Sequence, residues 1–549
     1  MIDTPIPLRF ELGANDSMHD AFLIANGNLK QVTNKANWPV QAALEAKLAA
    51  AFESEGCTIH RAHGYSEGLG HGFIWNQRMG LDVIGSIDPN APIVVAVGVW
   101  QFSQNLLSGL RNHRGPILTI GNWSGKWPGL VGLLNLNACL LKANVPYSTI
   151  WSDDFNDAFF RDGIRQWLRS GTIVHEIRYA HPLVSETLPI YEKEYGENLA
   201  RAFKKRKPII GVFDEGCMGM YNAIIDDELL HPVGIYKERL SQSALLAAMG
   251  RVSDDEALGV RKWLELKGMR FITGDDQATD LTDAQIAGQC KMYIAAVRMA
   301  AEFGCDAIGI QYSTGLKDMA PASDLAEGLM NNPDRPPVRR EGTDEILYEG
   351  KPLPHFNEAD EGAAIDMLVN EHIWSSLGWD SSTTLHDVRW GEHFTGCGID
   401  DFIWVFMISG AIPASHLARG YAEAESVRQP PTSFMMGGGT LRGVSKPGEF
   451  VWSRTYIEQG ELRVDLGRGR SVSLPDEELQ RRWGLTTSQW PIMNAILDGI
   501  TRDQFMAKHR SNHIIITYAP DAGAADSVMR IKASMMASLG IKVMLCGTK

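Results

Sequence analysis

The chain is short of cysteine, of basic excess and of long apolar runs, and each shortage closes a class of function. Its 549 residues hold seven cysteines, an odd number scattered without a single C-x-x-C pair. That usage argues against a disulfide framework or a thiolate zinc site and predicts buried thiols in a reducing cytoplasm. Lys and Arg total 52 against 66 Asp and Glu, a formal charge of −14. This is the wrong sign for a general nucleic-acid binder, which needs a basic footprint. Apolar runs such as residues 93–100 are too short to span a bilayer and suit strands instead. The opening Met1-Ile2-Asp3-Thr4-Pro5-Ile6-Pro7 has neither a basic n-region nor an apolar h-region, so no signal peptide is expected. No G-x-S-x-G elbow is present and no cysteine has an activating pattern beside it, which sets nucleophilic catalysis aside.

What is present is an alternation of helix and strand. Helical periods over residues 41–55, 104–111, 130–142 and 162–170 alternate with apolar strands at 93–100, 116–120, 148–151 and 172–177. The basic, proline-ended run Lys204-Lys205-Arg206-Lys207-Pro208 reads as a solvated boundary. The alternation then restarts, with strands at 209–213, 270–272 and 307–310 and a long amphipathic helix over 283–303. After a charged loop around 332–349 and a helix over 363–376, the texture turns to short β-rich pieces and closes on an αβ unit at 512–545. A chain this long needs more than one core. The expected fold is α/β, with two Rossmann-like domains on parallel sheets (1–206 and 207–352) and a mixed β-rich domain (353–549).

Three glycine clusters carry little. Gly121-Asn122-Trp123-Ser124-Gly125-Lys126-Trp127 is one residue short of a phosphate loop and puts Trp127 where the magnesium-binding Ser or Thr belongs. The run from Gly68 to Gly72 follows no clear strand. Gly437-Gly438-Gly439 reads as a tight turn, or as a place where backbone approaches a ligand. More telling are two acidic phrases set among small and apolar residues, residues 323–331 and 356–364. With the histidines they offer oxygen and nitrogen donors, the set preferred by Mg²⁺, Mn²⁺ and Co²⁺. By pattern alone, any one such carboxylate is more often a helix cap or surface charge than a ligand.

Several separated segments resemble the L-fucose isomerase family, which interconverts aldoses and ketoses with Mn²⁺. Cys217-Met218-Gly219-Met220 resembles the turn that opens the family's second domain. Pro321, Asp324, Glu327 and Asn331 stand at the spacing of the segment supplying its first acidic ligand. Asn357-Glu358-Ala359-Asp360 resembles Thr-Glu-Asn-Asp, whose last residue is the second ligand. Asp387-Val388-Arg389 matches the strand that follows, residues 434–439 an aromatic-x-x-Gly-Gly-Gly segment, and Asn512-His513 the pair whose His is the third ligand. The resemblance implies a metal site of Glu327, Asp360 and His513, with Glu327 and Asp360 as the acid–base pair for a cis-enediol isomerisation. It implies Trp100, Met218, Gln311, Ser409, Phe434 and Asn512 as substrate-binding residues, with Trp100 reaching a neighbouring subunit's sugar in a trimer or hexamer. It also implies a cytoplasmic homo-oligomer acting on a sugar, with Mn²⁺ as cofactor and Mg²⁺ or Co²⁺ as substitutes. Phe434 stands where the family has Tyr, the family's Gly-x-Arg-Pro segment has no counterpart, and its longer tail is absent. Which sugar is bound, a 6-deoxyhexose, a pentose or an anionic aldose, stays open. So do two other functions, a metal-dependent aldolase or epimerase, and a non-catalytic cytoplasmic sugar-binding protein.

Overall fold

The computed structural model describes residues 17–547; the opening segment Met1 to Pro7 lies outside them. The first sheet is wholly parallel. Its strands are β1 (Asp20–Ile24), β2 (Thr58–Arg61), β3 (Ile93–Val97), β4 (Ile117–Asn122) and β5 (Ser148–Ser152), in the order β2-β1-β3-β4-β5. The sequence Ile-Val-Val-Ala-Val of β3 is buried at every position, because helices cover both faces. Leu48 and Phe52 of helix Gln31–Ser54 pack with Trp167 of helix Ala158–Ser170 over one face, and Leu106 and Leu133 pack over the other. Strand order reverses between β1 and β3, and loops leave the carboxyl ends of both, the usual position of a ligand crevice in open α/β sheets. Asn26 Nδ2 ties the two loops together by donating to the Phe102 carbonyl at 2.8 Å.

Residues 180–206, expected in the N-terminal domain, are built onto the C-terminal sheet instead. Strand β6 (Ala180–Pro182) pairs antiparallel with β18 (Lys542–Cys546). Helix Ile190–Arg206 lies along helix Ala522–Leu539, where Ser534 Oγ donates to the Lys193 carbonyl at 2.7 Å. The strand expected over 172–177 joins no ladder. The basic run is likewise no free linker. Lys204, Lys205 and Arg206 form the last helical turn, where cations complement the helix dipole, and Arg206 pairs with Asp306 and Glu371 at 2.6 and 2.9 Å.

A second, three-stranded parallel sheet runs β10-β7-β8, from β7 (Ile209–Phe213), β8 (Tyr236–Leu240) and β10 (Ala307–Ile310). Capping boxes at Ser253/Glu256 and Thr282/Gln285 start the two long helices packed with it, Asp254–Leu266 and Asp283–Glu302. The pair β9 (Arg270–Phe271) and β13 (Glu425–Ser426) stands apart from that sheet.

The third sheet is mixed and has eight strands. Besides β6 and β18 it contains β11 (Thr384–Gly396), β12 (Ile399–Met407), β14 (Gly448–Glu458), β15 (Glu461–Ser471), β16 (Ile492–Leu497) and β17 (His513–Tyr518). Its order is β14-β17-β11-β12-β16-β15-β18-β6, and a further β14–β15 pairing closes the first six into a ring. Helix Glu361–Ser376 is pinned to this ring by Asp366. That carboxylate accepts from Ser453 Oγ at 2.6 Å, the Thr455 amide at 2.7 Å and Lys532 Nζ at 3.0 Å.

Among the described residues, no helix is long and apolar enough to cross a membrane. Buried histidines work against stability in acid. Burial pushes His63 and His386 down to about 3 and His416 down to about 4. Each is neutral in the folded chain and takes a proton on unfolding near the ordinary value of 6.5, so its contribution to stability falls as pH drops from 6.5 towards 4. Buried carboxyls raised to about 6–7, Asp324, Asp387 and Glu361, act in the opposite sense over the same window. The histidine contribution is therefore read by difference: melting temperature followed from pH 7 to 4 is expected to fall less in His63→Gln than in wild type, and parallel profiles would contradict the assignment.

Candidate functional site

Both acidic phrases become helix starts. Asp324 and Glu327 occupy the first turn of the short helix Asp324–Met330, and both are buried. Asp360 caps helix Glu361–Ser376, its side chain accepting from the Ala363 amide at 3.2 Å. His513 opens β17, and the antiparallel register sets Asp387 of β11 directly opposite it. Directly paired residues share a sheet face. Through these elements the two halves of the second acidic phrase come up against His513.

Asp360 and His513 are fully buried. The Asp360 carboxylate is gripped by Arg454, with Nη1 donating to Oδ2 at 2.5 Å and Nη2 to Oδ1 at 3.1 Å. His513 Nδ1 donates to the same Oδ2 at 2.7 Å. The opposite ring nitrogen, Nε2, has no hydrogen-bond partner although it is buried. It faces Glu358 Oε2 at 3.6 Å and Asp387 Oδ1 at 3.5 Å. Glu327 Oε2 accepts from Asn357 Nδ2 and stands 3.7 Å from His355 Nδ1. Gly362 makes the Arg454 contact feasible, since a Cβ there would meet the Thr455 carbonyl at 2.6 Å and Arg454 Nη2 at 3.1 Å.

The backbone around these side chains is strained. Met218, Tyr312, Glu358 and Ala359 all have positive φ without being glycine. Each such residue costs about 1–3 kcal/mol, and such residues concentrate where a site dictates the backbone.

Electrostatics divide the carboxyls into two kinds. Burial pushes Asp360 upwards, yet Arg454 and His513 outweigh it and hold it well below the usual carboxylate range. The others go the opposite way. Burial raises Asp324 to about 7 and Asp387 to about 6, and burial together with Asp324 raises Glu327 well above its ordinary value. His513 rises to about 9 because Asp360, Glu358 and Asp387 outweigh burial. A divalent cation among these groups would favour their deprotonated forms and reverse the shifts. The neighbouring Cys217 thiol is also pushed up, by burial first, and donates to the Gln311 carbonyl at 3.1 Å. It has no nucleophilic character.

The donor set suits a hard or borderline divalent cation: carboxylate oxygens and one imidazole nitrogen that makes no hydrogen bond and must give up its proton to bind. The donors do not converge on a single point. Among the described residues no three His, Cys, Asp or Glu side chains stand close enough to hold a metal as they are. Both oxygens of Asp360 accept hydrogen bonds, Oδ1 from Arg454 and Oδ2 from Arg454 and His513.

The expected substrate-binding residues fall into three groups. Asn512 is at the site, with Nδ2 donating to Asp387 Oδ1 at 3.2 Å and Oδ1 unpartnered. Ser409 lies against Asp324, and Phe434 stacks on Tyr312 with ring centroids 5.9 Å apart. The glycine run carries Phe434 there. Gly437 and Gly438 both have positive φ, and the amides of Gly438 and Gly439 donate to Gln285 and Gln289 at 3.1 and 2.7 Å. The run is therefore a close approach between a loop and a helix.

Met218 and Trp100 belong to one apolar cluster with Met220 and Phe102. Trp100 is 8% exposed and packs within that cluster. Its indole Nε1 is buried without a partner. Gln311 is committed to loop structure, its amide donating to the Glu215 carbonyl at 2.9 Å and accepting from Gln242 at 3.2 Å.

Sequence reasoning overlooked Arg454 and gave Asp387 and Glu358 only minor parts. A charged residue within the apolar strand Gly448–Glu458 was the available signal for Arg454. A groove of about 960 Å³ lined by Trp123, Trp390, Arg470 and Arg502 contains none of the carboxyl cluster's residues. No family model matches this chain, and no curated protein matches it.

Proposed function

We propose that this chain is a metal-dependent aldose–ketose isomerase of the L-fucose isomerase kind, working through a cis-enediol. The observation that carries the reading is the unclaimed, buried Nε2 of His513 facing carboxylates beside the Glu327 helix. Glu327 and His513 would hold a Mn²⁺-type ion, with Mg²⁺ or Co²⁺ as substitutes. When bound, such an ion supplies Lewis-acid polarisation of the sugar carbonyl. Glu327, a carboxyl whose charged form burial and Asp324 disfavour, takes the proton from C2 of the open-chain sugar and returns it at C1, while the hydroxyl proton passes from O2 to O1. Asn512 presents its free Oδ1 to a sugar hydroxyl, Phe434 offers an apolar ring, and Met218 and Trp100 form an apolar wall. The two parallel sheets are the family's Rossmann-like domains in this reading, and the working form is a cytoplasmic trimer or hexamer.

The test is a panel of 6-deoxyhexoses, pentoses and anionic aldoses incubated with Mn²⁺ in D₂O and followed by NMR. The expected result is one aldose converted to its ketose with deuterium entering the carbon skeleton and no carbon–carbon cleavage. Cleavage products would mark an aldolase. Saturable sugar binding without turnover would mark a binding protein.

A further inference from the structure

We propose that Arg389 is a specificity-determining residue of this site, binding an anionic group (a carboxylate, phosphate or sulfonate) that the aldose carries away from its carbonyl end. The inference rests on the isomerase reading and narrows its substrate to an anionic aldose.

Arg389 is 4% exposed, and among the buried arginines of the described residues it alone lacks a close partner. Arg335, Arg428, Arg454 and Arg482 are buried too, and each has a hydrogen bond of 3.0 Å or shorter, to the Tyr348 carbonyl, the Gln429 carbonyl, Asp360 and Glu478. Arg389 makes two long contacts instead, from Nη2 to the Lys126 carbonyl at 3.4 Å and to Thr487 Oγ1 at 3.5 Å, and its Nε has no partner. Bonds of that length are weak. Asp387 does not neutralise it, since that carboxylate bonds Asn512 at 3.2 Å. Burial accordingly pushes Arg389 down to about 10, with Asp387 offsetting only part. A guanidinium is still charged at neutral pH, and a buried charge without a partner is costly. The chemistry that completes it is an oxyanion, whose paired oxygens match the planar fork.

The place of Arg389 in the fold ties it to the carboxyl cluster. The ladder between β11 and β12 slips between Val388 and Trp390, which makes Arg389 the extra residue of a β-bulge. Bulges re-aim a side chain and are enriched beside active sites. This one lies two residues beyond Asp387, whose Oδ1 is 3.5 Å from His513 Nε2. Two residues of strand span roughly 6.6 Å, comparable to the reach of an open six-carbon chain. The two contacts of Arg389 come from opposite sides. Lys126 lies in the loop leaving the carboxyl end of β4, and Thr487 follows helix Asp476–Gly484. Arg389 therefore faces the side of the parallel sheet where open α/β folds take ligands. An uncharged sugar end laid here would strip water from the guanidinium and return no charge.

The experiment measures binding to the whole chain by titration calorimetry for wild type, Arg389→Met and Arg389→Lys. The ligands are sulfate and aldohexoses of gluco, galacto and manno configuration, each as the uronate, the 6-phosphate, the 6-sulfonate and the 6-deoxy sugar. In wild type, an anionic form is expected to bind at least about 30-fold more tightly than its 6-deoxy counterpart, the scale of a charge-assisted hydrogen bond. Arg389→Met is expected to bring that ratio to about one, with its melting temperature unchanged or higher because no close partner is lost. Arg389→Lys keeps the charge without the fork, is expected to leave an intermediate ratio, and serves should Arg389→Met not fold. Equal binding of anionic and 6-deoxy forms in wild type, or a preference that survives in Arg389→Met, would overturn the inference. Sulfate binding lost in Arg389→Met with no preference among the sugars would assign Arg389 to a free anion and overturn it as well. Conversion of an uncharged aldose without any anionic preference would leave the isomerase standing while the inference fails. An Arg389-dependent preference without conversion would support the anion assignment while refuting the isomerase.

Discussion

Replacing Glu327 with Gln is expected to lower kcat for the isomerised sugar by about 10³-fold or more, within the 10²–10⁴ that a positioned acid–base group contributes, plus the loss of a cation donor. The substitution keeps the shape of the side chain and its contact with Asn357. It also removes a carboxyl whose charged form burial and Asp324 disfavour, so the folded state should gain stability or keep it. The pairing of lost turnover with an unchanged or higher melting temperature separates a chemical role from a structural one. Steady-state kinetics and scanning calorimetry on the same preparation read both. A variant that turns over at the wild-type rate would remove Glu327 from the chemistry.

Asp360→Ala is expected to act in the opposite way, through the fold. It strands Arg454, fully buried with Nε already unpartnered, beside a protonated imidazole. Breaking a buried pair by removing one partner costs about 3–5 kcal/mol. The same change deprives the helix Glu361–Ser376 of its cap, worth about 1 kcal/mol. Together these should lower the melting temperature by roughly 4–5 °C. The double variant Asp360→Ala/Arg454→Met is expected to recover much of the loss, since an apolar side chain can replace a buried pair without penalty. If the double variant were less stable than the single one, the ion pair would not be what fails in Asp360→Ala.

These two residues show where the sequence is readable and where it is not. The run Ile-Val-Val-Ala-Val of β3 declares itself because a strand buried on both faces has no alternative composition. The capping boxes before helices Asp254–Leu266 and Asp283–Glu302 are equally local signals. Strand β8 is not readable, because Tyr-Lys-Glu-Arg-Leu carries three charges at the edge of its sheet. Residues 172–177 have the composition of a strand and lack only a partner, which is a fact about tertiary structure.

The same division runs through the site. Glu327 and His513 follow from the order of motifs along the chain. Asp360 also stands out in the sequence, but its role depends on Arg454, 94 residues away, and nothing local announces that contact. Glu358 depends on a backbone angle that a non-glycine residue does not advertise.

The most direct measurement is anomalous diffraction from crystals of the wild-type chain soaked in Mn²⁺. One peak is expected, in the cluster that holds Glu327 and Nε2 of His513. No peak in this cluster at saturating Mn²⁺ would contradict the proposed site.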